Sequence, residues 1–244
     1  MREVIKDYLC LDIETTGLNP KTEKIIEIGA VRVRNGNITE SFESLVAPGR
    51  PLGERITDLT GITDEMLKNA PAREEVIPKF LEFAGEDILL GHSVLFDYSF
   101  LKKAAVNCNY QFERTGIDTL KIARKFLPEI ESRRLGYLCS YYGIEHHAHR
   151  ALADAQATVG LYQKLAEHFY TEEDFKPFPL QYKVKKESPI TKNQKERLYY
   201  LLQKHKLAIE TDETLSSCLY MELDKLTKNE ASRYTDKLLS KYGR

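Results

Sequence analysis

Tyr8-Leu9-Cys10-Leu11-Asp12-Ile13 is an apolar run broken only near its end by an acid. That pattern predicts a central strand buried on both faces. Thr15-Thr16-Gly17-Leu18-Asn19-Pro20 follows as a dense turn signal. Residues 24–33, rich in Ile and Val, predict a second strand. Asn35-Gly36-Asn37 then supplies a hairpin turn, with Gly for positive φ, and residues 38–46 alternate as a third strand. The chain therefore opens as an antiparallel meander. Residues 48–72 read as loop with short helical pieces, and acids cluster at the helix starts Thr63-Asp64-Glu65 and Arg73-Glu74-Glu75. Val76, Phe80, Leu81 and Ala84 keep helical spacing. Asp87-Ile88-Leu89-Leu90-Gly91 predicts a short buried strand, and residues 97–106 return to helical spacing through Phe100, Leu101 and Ala104. Gly116-Ile117-Asp118-Thr119-Leu120 reads as a strand edge entering a helix that ends near Pro128. Residues 135–142 form a short helix stopped by Gly143, and residues 151–169 the longest clean helix of the body.

Strands first paired in sequence and then alternating with helices predict an α/β fold. We expect a mixed five-stranded sheet flanked by helices, antiparallel on one side and parallel on the other. Residues 1–170 make up this body. Residues 171–189 carry three prolines and no sustained periodicity, which predicts a linker. Beyond it, Thr191 with Gln194 and Thr227 with Glu230 fit the capping-box pattern. They open two helices of a small helical module over residues 190–244.

At 42% hydrophobic and 30% charged, the 244-residue chain has the balance of a globular protein, not a disordered one. No apolar run approaches the ~20 residues of a membrane span, and no leader pattern opens the chain, so a cytoplasmic protein without membrane contact is expected. Cys10, Cys108, Cys139 and Cys218 have no paired spacing and read as small apolar fillers. The net charge of −1 hides an asymmetry: residues 183–244 carry 14 Lys+Arg against 9 Asp+Glu. A basic tail of this kind can hold a nucleic-acid backbone, and a solvated helical face looks the same.

Four acids at three places in the chain stand out. Asp12 and Glu14 flank Ile13 at the end of an apolar strand, so both carboxylates share one face. Like charges that close raise each other's pKa unless a cation lies between them, and divalent cations prefer hard oxygen ligands. A solvated strand end followed by a turn would show the same pair. Asp97 follows a strand among Phe96, Tyr98 and Phe100, where an Asp is also a common helix cap. Asp154 sits between alanines in the first turns of the long helix, with His149 just before it. His146 and His147 lie close by, so a merely polar histidine loop is the alternative for His149. In an open α/β sheet, strand ends and helix starts converge on a common crevice, and four acids gathered there imply bound cations.

These residues carry a family resemblance. Asp12-Ile13-Glu14-Thr15-Thr16-Gly17, then His92-Ser93 with Phe96-Asp97, then His149-Arg150-Ala151 with Asp154-Ala155 resemble, in order and spacing, the three motifs of the DnaQ-like (DEDDh) 3′–5′ exonucleases. The likeness covers about residues 7–169 and is closest to the PolC and DNA polymerase III epsilon type. It implies a ribonuclease H-like fold. It also implies that Asp12, Glu14, Asp97 and Asp154 hold two divalent cations, Mg²⁺ or Mn²⁺, with His149 as general base. Two such ions can clamp the attacking and leaving oxygens of a phosphodiester displacement, and imidazole can exchange a proton near neutral pH. By the same resemblance Thr15, Gly17 and Leu18 contact the terminal nucleotide, with His92, Ser93, Ile62 and Phe96 around it. Plain core packing is the alternative for Ile62 and Phe96.

The expected substrate is a nucleic-acid 3′ end, single-stranded DNA ahead of RNA, with nucleoside 5′-monophosphates as products. An exoribonuclease would use the same residues, and a non-catalytic binding module is the reading from another class. Ser93 departs from the resemblance, since an Asn usually follows this histidine. The helical module also departs from it, being unlike the extended polymerase-binding tail of an epsilon subunit. Tyr199 and Tyr200 in that module can stack bases or serve as core, and the module can equally dock a replication or repair protein.

Overall fold

The computed structural model describes residues 4–146, 149–212 and 215–243. His147 lies outside the described residues.

The opening meander forms as expected: β1 (Tyr8–Thr15), β2 (Ile25–Arg34) and β3 (Asn37–Leu45) pair antiparallel in sequence order. Short helices α1 (Glu54–Thr60) and α2 (Asp64–Leu67) and the longer α3 (Arg73–Ala84) follow. Then β4 (Leu89–Gly91) inserts parallel to β1, and β5 (Thr115–Asp118) parallel to β4, with α4 (Val94–Asn107) between them. Helices α5 (Thr119–Phe126), α6 (Leu135–Tyr142), α7 (Ala151–Phe169) and α8 (Glu172–Phe175) complete the body.

The sheet has six strands, not five, in the order β3-β2-β1-β4-β5-β6. The sixth, β6 (Phe178–Pro179), is a two-residue edge strand pairing antiparallel with β5. It arises from residues 171–189, the stretch expected to be a linker. Phe175 and Leu180 are buried in the body's two cores. Leu180 lies over Gly116, where an added Cβ would come within 2.9 Å of it. Two isolated apolar side chains in a Pro-rich stretch carry no periodic signal, so their burial is invisible to pattern reading.

Alternation along β1 sets the layers. Leu9, Leu11 and Ile13 enter the core shared with α3 and α4, through Val76, Phe80, Val94 and Tyr98. Tyr8 and Cys10 enter the opposite core, shared with α5, α6 and α7 through Ile122, Leu138, Val159 and Tyr162. Side chains two apart on a strand point the same way, so Asp12 and Glu14 continue the face covered by α7.

The C-terminal module has its own core, built from Leu198, Leu201, Leu202, Ile209, Ala231 and Leu238 among others. Its helices are α9 (Lys192–Lys204), α10 (Lys206–Glu210) and α11 (Lys228–Tyr242). Both expected capping boxes form: Thr191 and Thr227 accept from the N–H groups of Gln194 and Glu230. All four cysteines are free. Among the described residues no helix is long and apolar enough to cross a membrane.

Candidate active site

The site forms where the start of α7 meets β1 and β2. Gly29 of β2 is the strand partner of Asp12. A Cβ built on Gly29 would lie 2.1 Å from the Leu152 backbone nitrogen and 2.2 Å from the Ala151 carbonyl carbon. Only a glycine lets the first turn of α7 rest on the strand this closely. Farther along the same face, the Cys10 thiol bonds the Ala155 carbonyl at 3.2 Å. Asp154 is thereby carried over the two strand acids. One oxygen each from Asp12, Glu14 and Asp154 lie within 4.8 Å of one another.

Asp97 stands beside this group, in the first turn of α4, and is 3% exposed. It is not the cap of that helix; Ser93 is. Its carboxylate accepts backbone N–H bonds, including that of Ile13 between the two strand acids.

The electrostatics follow from this crowding. Burial pushes Asp12 well above the usual carboxylate range, and the charges of Asp97, Asp154, Glu14 and Glu27 push it further. Burial raises Asp97 as well, overriding its backbone hydrogen bonds. Glu14 is pushed up to about 7 by burial and then by Asp154 and Glu27, against the opposing pull of Arg150. Arg150 itself is committed elsewhere. Its guanidinium donates to Glu27 at 2.8 and 3.0 Å and to Glu43 at 3.1 Å. The carboxylates thus form an all-oxygen donor set held at high electrostatic cost, which is the chemistry that suits a hard divalent cation.

Both described histidines of the loop before α7 touch Asp154, in different ways. The His146 Nε2, on a side chain 10% exposed, bonds the Asp154 Oδ1. His149 is exposed and adopts φ 68°. Its backbone N–H donates to Asp154 Oδ2 at 3.1 Å, a contact that does not involve its imidazole. The contact from His146 was not expected from sequence, where it served only as a neighbour that diluted the case for His149.

The residues expected around the nucleotide divide. Thr15 is buried, and its hydroxyl donates to the Gly17 carbonyl at 2.8 Å, shaping the turn. Leu18 is 84% exposed at the turn's tip. Phe96 is half-buried against Phe100, with ring centroids 5.1 Å apart. Ser93 takes φ 81° and its N–H donates to Asp118 at 3.1 Å. An Asn adopts left-handed backbone more readily than Ser, so this departure bears on backbone geometry as well as on contact.

Two of the expected residues face into the fold. Ile62 is fully buried with Ile26 and Leu67 and has no surface to offer a base. His92 uses both ring nitrogens inside the fold: Nε2 donates to the Arg133 carbonyl at 2.7 Å and Nδ1 meets the Thr119 hydroxyl at 2.9 Å. The ring therefore pins the β4–α4 turn to α5, and burial lowers its pKa.

Sequence reading also missed Glu27. It is fully buried, and besides binding Arg150 it accepts the Ala151 N–H at 2.9 Å, the first orphan donor of α7. An acid inside Ile25-Ile26-Glu27-Ile28 was the available signal.

Fold and site together define a chain of the ribonuclease H-like class with a cluster of acids that could hold a metal ion. The exonuclease family model (RNase T) matches residues 9–162, and the chain belongs to that family. It is 39% identical over 174 residues to the DNA polymerase III subunit epsilon of Aquifex aeolicus, covering 70% of this chain and 86% of that one. It is 42% identical over 163 residues to the PolC-type DNA polymerase III of Caldanaerobacter subterraneus subsp. tengcongensis. That match covers 66% of this chain but only 12% of the relative. A structure of exonuclease X in complex with 5′-overhanging duplex DNA superposes with a TM-score of 0.56 at 28% identity. It covers 68% of this chain and 96% of that one.

Proposed function

We propose that this chain is a 3′–5′ exonuclease that removes nucleoside 5′-monophosphates from the 3′ end of single-stranded DNA. The observation that carries the reading is the convergence of Asp12, Glu14 and Asp154 within 4.8 Å, in a chain of the exonuclease family. Two Mg²⁺ or Mn²⁺ ions are the proposed cofactors, with Asp12, Glu14, Asp97 and Asp154 as the residues that would hold them. Bound there, they would lower the pKa of a water and neutralise charge on the departing 3′-oxygen.

The chain's own residues supply the rest. His149, exposed at the rim, takes the proton of the attacking water. The water oxygen bonds to phosphorus as the bond to the 3′-oxygen breaks, and the departing oxygen takes a proton from solvent, leaving a new 3′-hydroxyl and a free 5′-monophosphate. Leu18 and Phe96 flank the terminal base, while Thr15, Gly17 and Ser93 fix the backbone turns around it. DNA is favoured over RNA because the exonuclease X neighbour is bound to DNA and the relatives are DNA polymerase III proteins. The C-terminal module is the proposed contact for a replication or repair partner.

The test is digestion of 5′-labelled DNA and RNA oligomers of one sequence with Mg²⁺ or Mn²⁺. Stepwise shortening of the DNA is expected, abolished by EDTA, with RNA degraded at least about tenfold more slowly. DNA left intact under both metals refutes the reading, and equal rates on RNA refute the preference.

A further inference from the structure

The nucleotide turn after β1 is tied to the C-terminal module, although about 200 residues separate the two in sequence. Arg50 is the link. Its Nη1 donates to the Tyr234 hydroxyl of α11 at 3.1 Å, and its Nη2 donates to the Thr16 hydroxyl at 3.1 Å and to Glu23 at 2.5 Å. The Thr16 hydroxyl in turn donates to Glu23 at 2.7 Å and accepts the Lys24 N–H at 3.0 Å. Glu23 also underlies the turn directly: a Cβ on Gly17 would come within 3.0 Å of its Cγ.

A second tie runs in parallel. Lys24 pairs with Glu230 of α11 at 3.0 Å, and Glu230 is only 9% exposed. Both ends of the turn, Thr16 and Glu23-Lys24, are therefore gripped from one helix of the module. Partly buried charged hydrogen bonds of this kind fix geometry more firmly than exposed ones.

Resting on the exonuclease reading, we infer that the C-terminal module braces the nucleotide-binding turn, with Arg50, Tyr234 and Glu230 as positioning residues. None of the three belongs to the cluster of Asp12, Glu14 and Asp154. Their effect reaches the substrate through the Thr15–Leu18 turn, whose tip carries the exposed Leu18. The module then raises affinity for the 3′ end by ordering the turn in advance, sparing that ordering on binding.

The test uses the full chain with Tyr234→Phe, Glu230→Gln and the two combined. Both changes spare the fold, since Phe keeps the ring in the module core and Gln still completes the capping box with Thr227. Hydrogen–deuterium exchange over residues 15–24 is expected to quicken about tenfold in the double variant. KM for a DNA oligomer is expected to rise by about the same factor, with kcat held within about twofold and Mn²⁺ affinity unchanged. Arg50→Lys, which keeps one donor, should fall between wild type and the double variant. Unchanged exchange over 15–24 overturns the brace. Faster exchange with KM unchanged, or a matching fall in kcat and Mn²⁺ affinity, overturns its role in nucleotide binding. A wild-type chain inert on DNA sinks the exonuclease reading instead, and exchange still decides the brace.

Discussion

At the scale of single residues, Asp154 is the point where two histidines compete for a role. His146 touches its carboxylate through the ring, whereas His149 touches it only through the backbone N–H. A side-chain substitution at His149 therefore leaves that contact in place. His149→Gly, which tolerates the positive φ, is expected to reduce kcat by about a hundredfold or more while Mn²⁺ affinity holds. His146→Ala is expected to do the reverse, changing Mn²⁺ affinity before turnover at saturating metal. Isothermal titration alongside single-turnover cleavage separates the two. Equal effects on kcat from both variants would remove His149 as the base. The sequence offered His146, His147 and His149 as near-equivalent neighbours, because spacing along a loop says nothing of which ring turns inward.

At the scale of elements, the site depends on how α7 begins. Its N-cap, Arg150, offers no side-chain acceptor to the helix. Glu27, reaching from β2, fills that part from outside by accepting the Ala151 N–H and holding Arg150. Glu27→Gln keeps the volume but sets an amide N–H₂ against donors on one side. A loss of about 1–3 kcal/mol in urea denaturation is expected, with weaker Mn²⁺ binding as Asp154 loses its fixed position. An unchanged midpoint would show that Gly29 packing alone seats the helix. The alternation of β1 was readable in advance, and it put Asp12 and Glu14 on one face. That this was the face under α7 depended on the first turn of α7 resting on Gly29, the β2 partner of Asp12.

At the scale of the whole molecule, three buried or half-buried carboxylates make the metal-free fold sensitive to pH. Glu14 is pushed up to about 7, with Asp12 and Asp97 also raised, first by burial in each case. Between the ordinary carboxylate range and pH 7, the folded chain holds protons that the unfolded chain has released. Stability is therefore lost as pH rises through that window, by on the order of 3 kcal/mol from Glu14 alone. Glu23 is lowered by Thr16 and Arg50, and Glu230 by Lys24 and Thr227, each against the opposing effect of burial. Their contributions run the other way and are lost only in more acidic solution. The EDTA-treated protein is expected to melt at lower temperature at about pH 8 than at about pH 5. Mg²⁺ or Mn²⁺ should recover more at the higher pH, since bound cations replace the missing protons. A metal-free melting temperature that climbs across this range would contradict the acid cluster's protonation.

The sequence by itself determined the local terms. Strand period placed Asp12 beside Glu14, capping chemistry placed the starts of α9 and α11, and the order of three short motifs resembled one exonuclease family. Each of these depends on neighbours within a few positions, where covalent geometry leaves few choices. Tertiary structure decided the partners. It put Ile62 in a core, committed both nitrogens of His92, and added Phe178–Pro179 to the sheet as β6. It also turned His146 rather than His149 toward Asp154, and joined Arg50 to Tyr234. The reason is physical: a buried polar group takes whichever complementary group the packed chain brings within about 3 Å. That choice is made by the approach of α7 to Gly29 and of α11 to the β1 turn, not by any spacing along the chain.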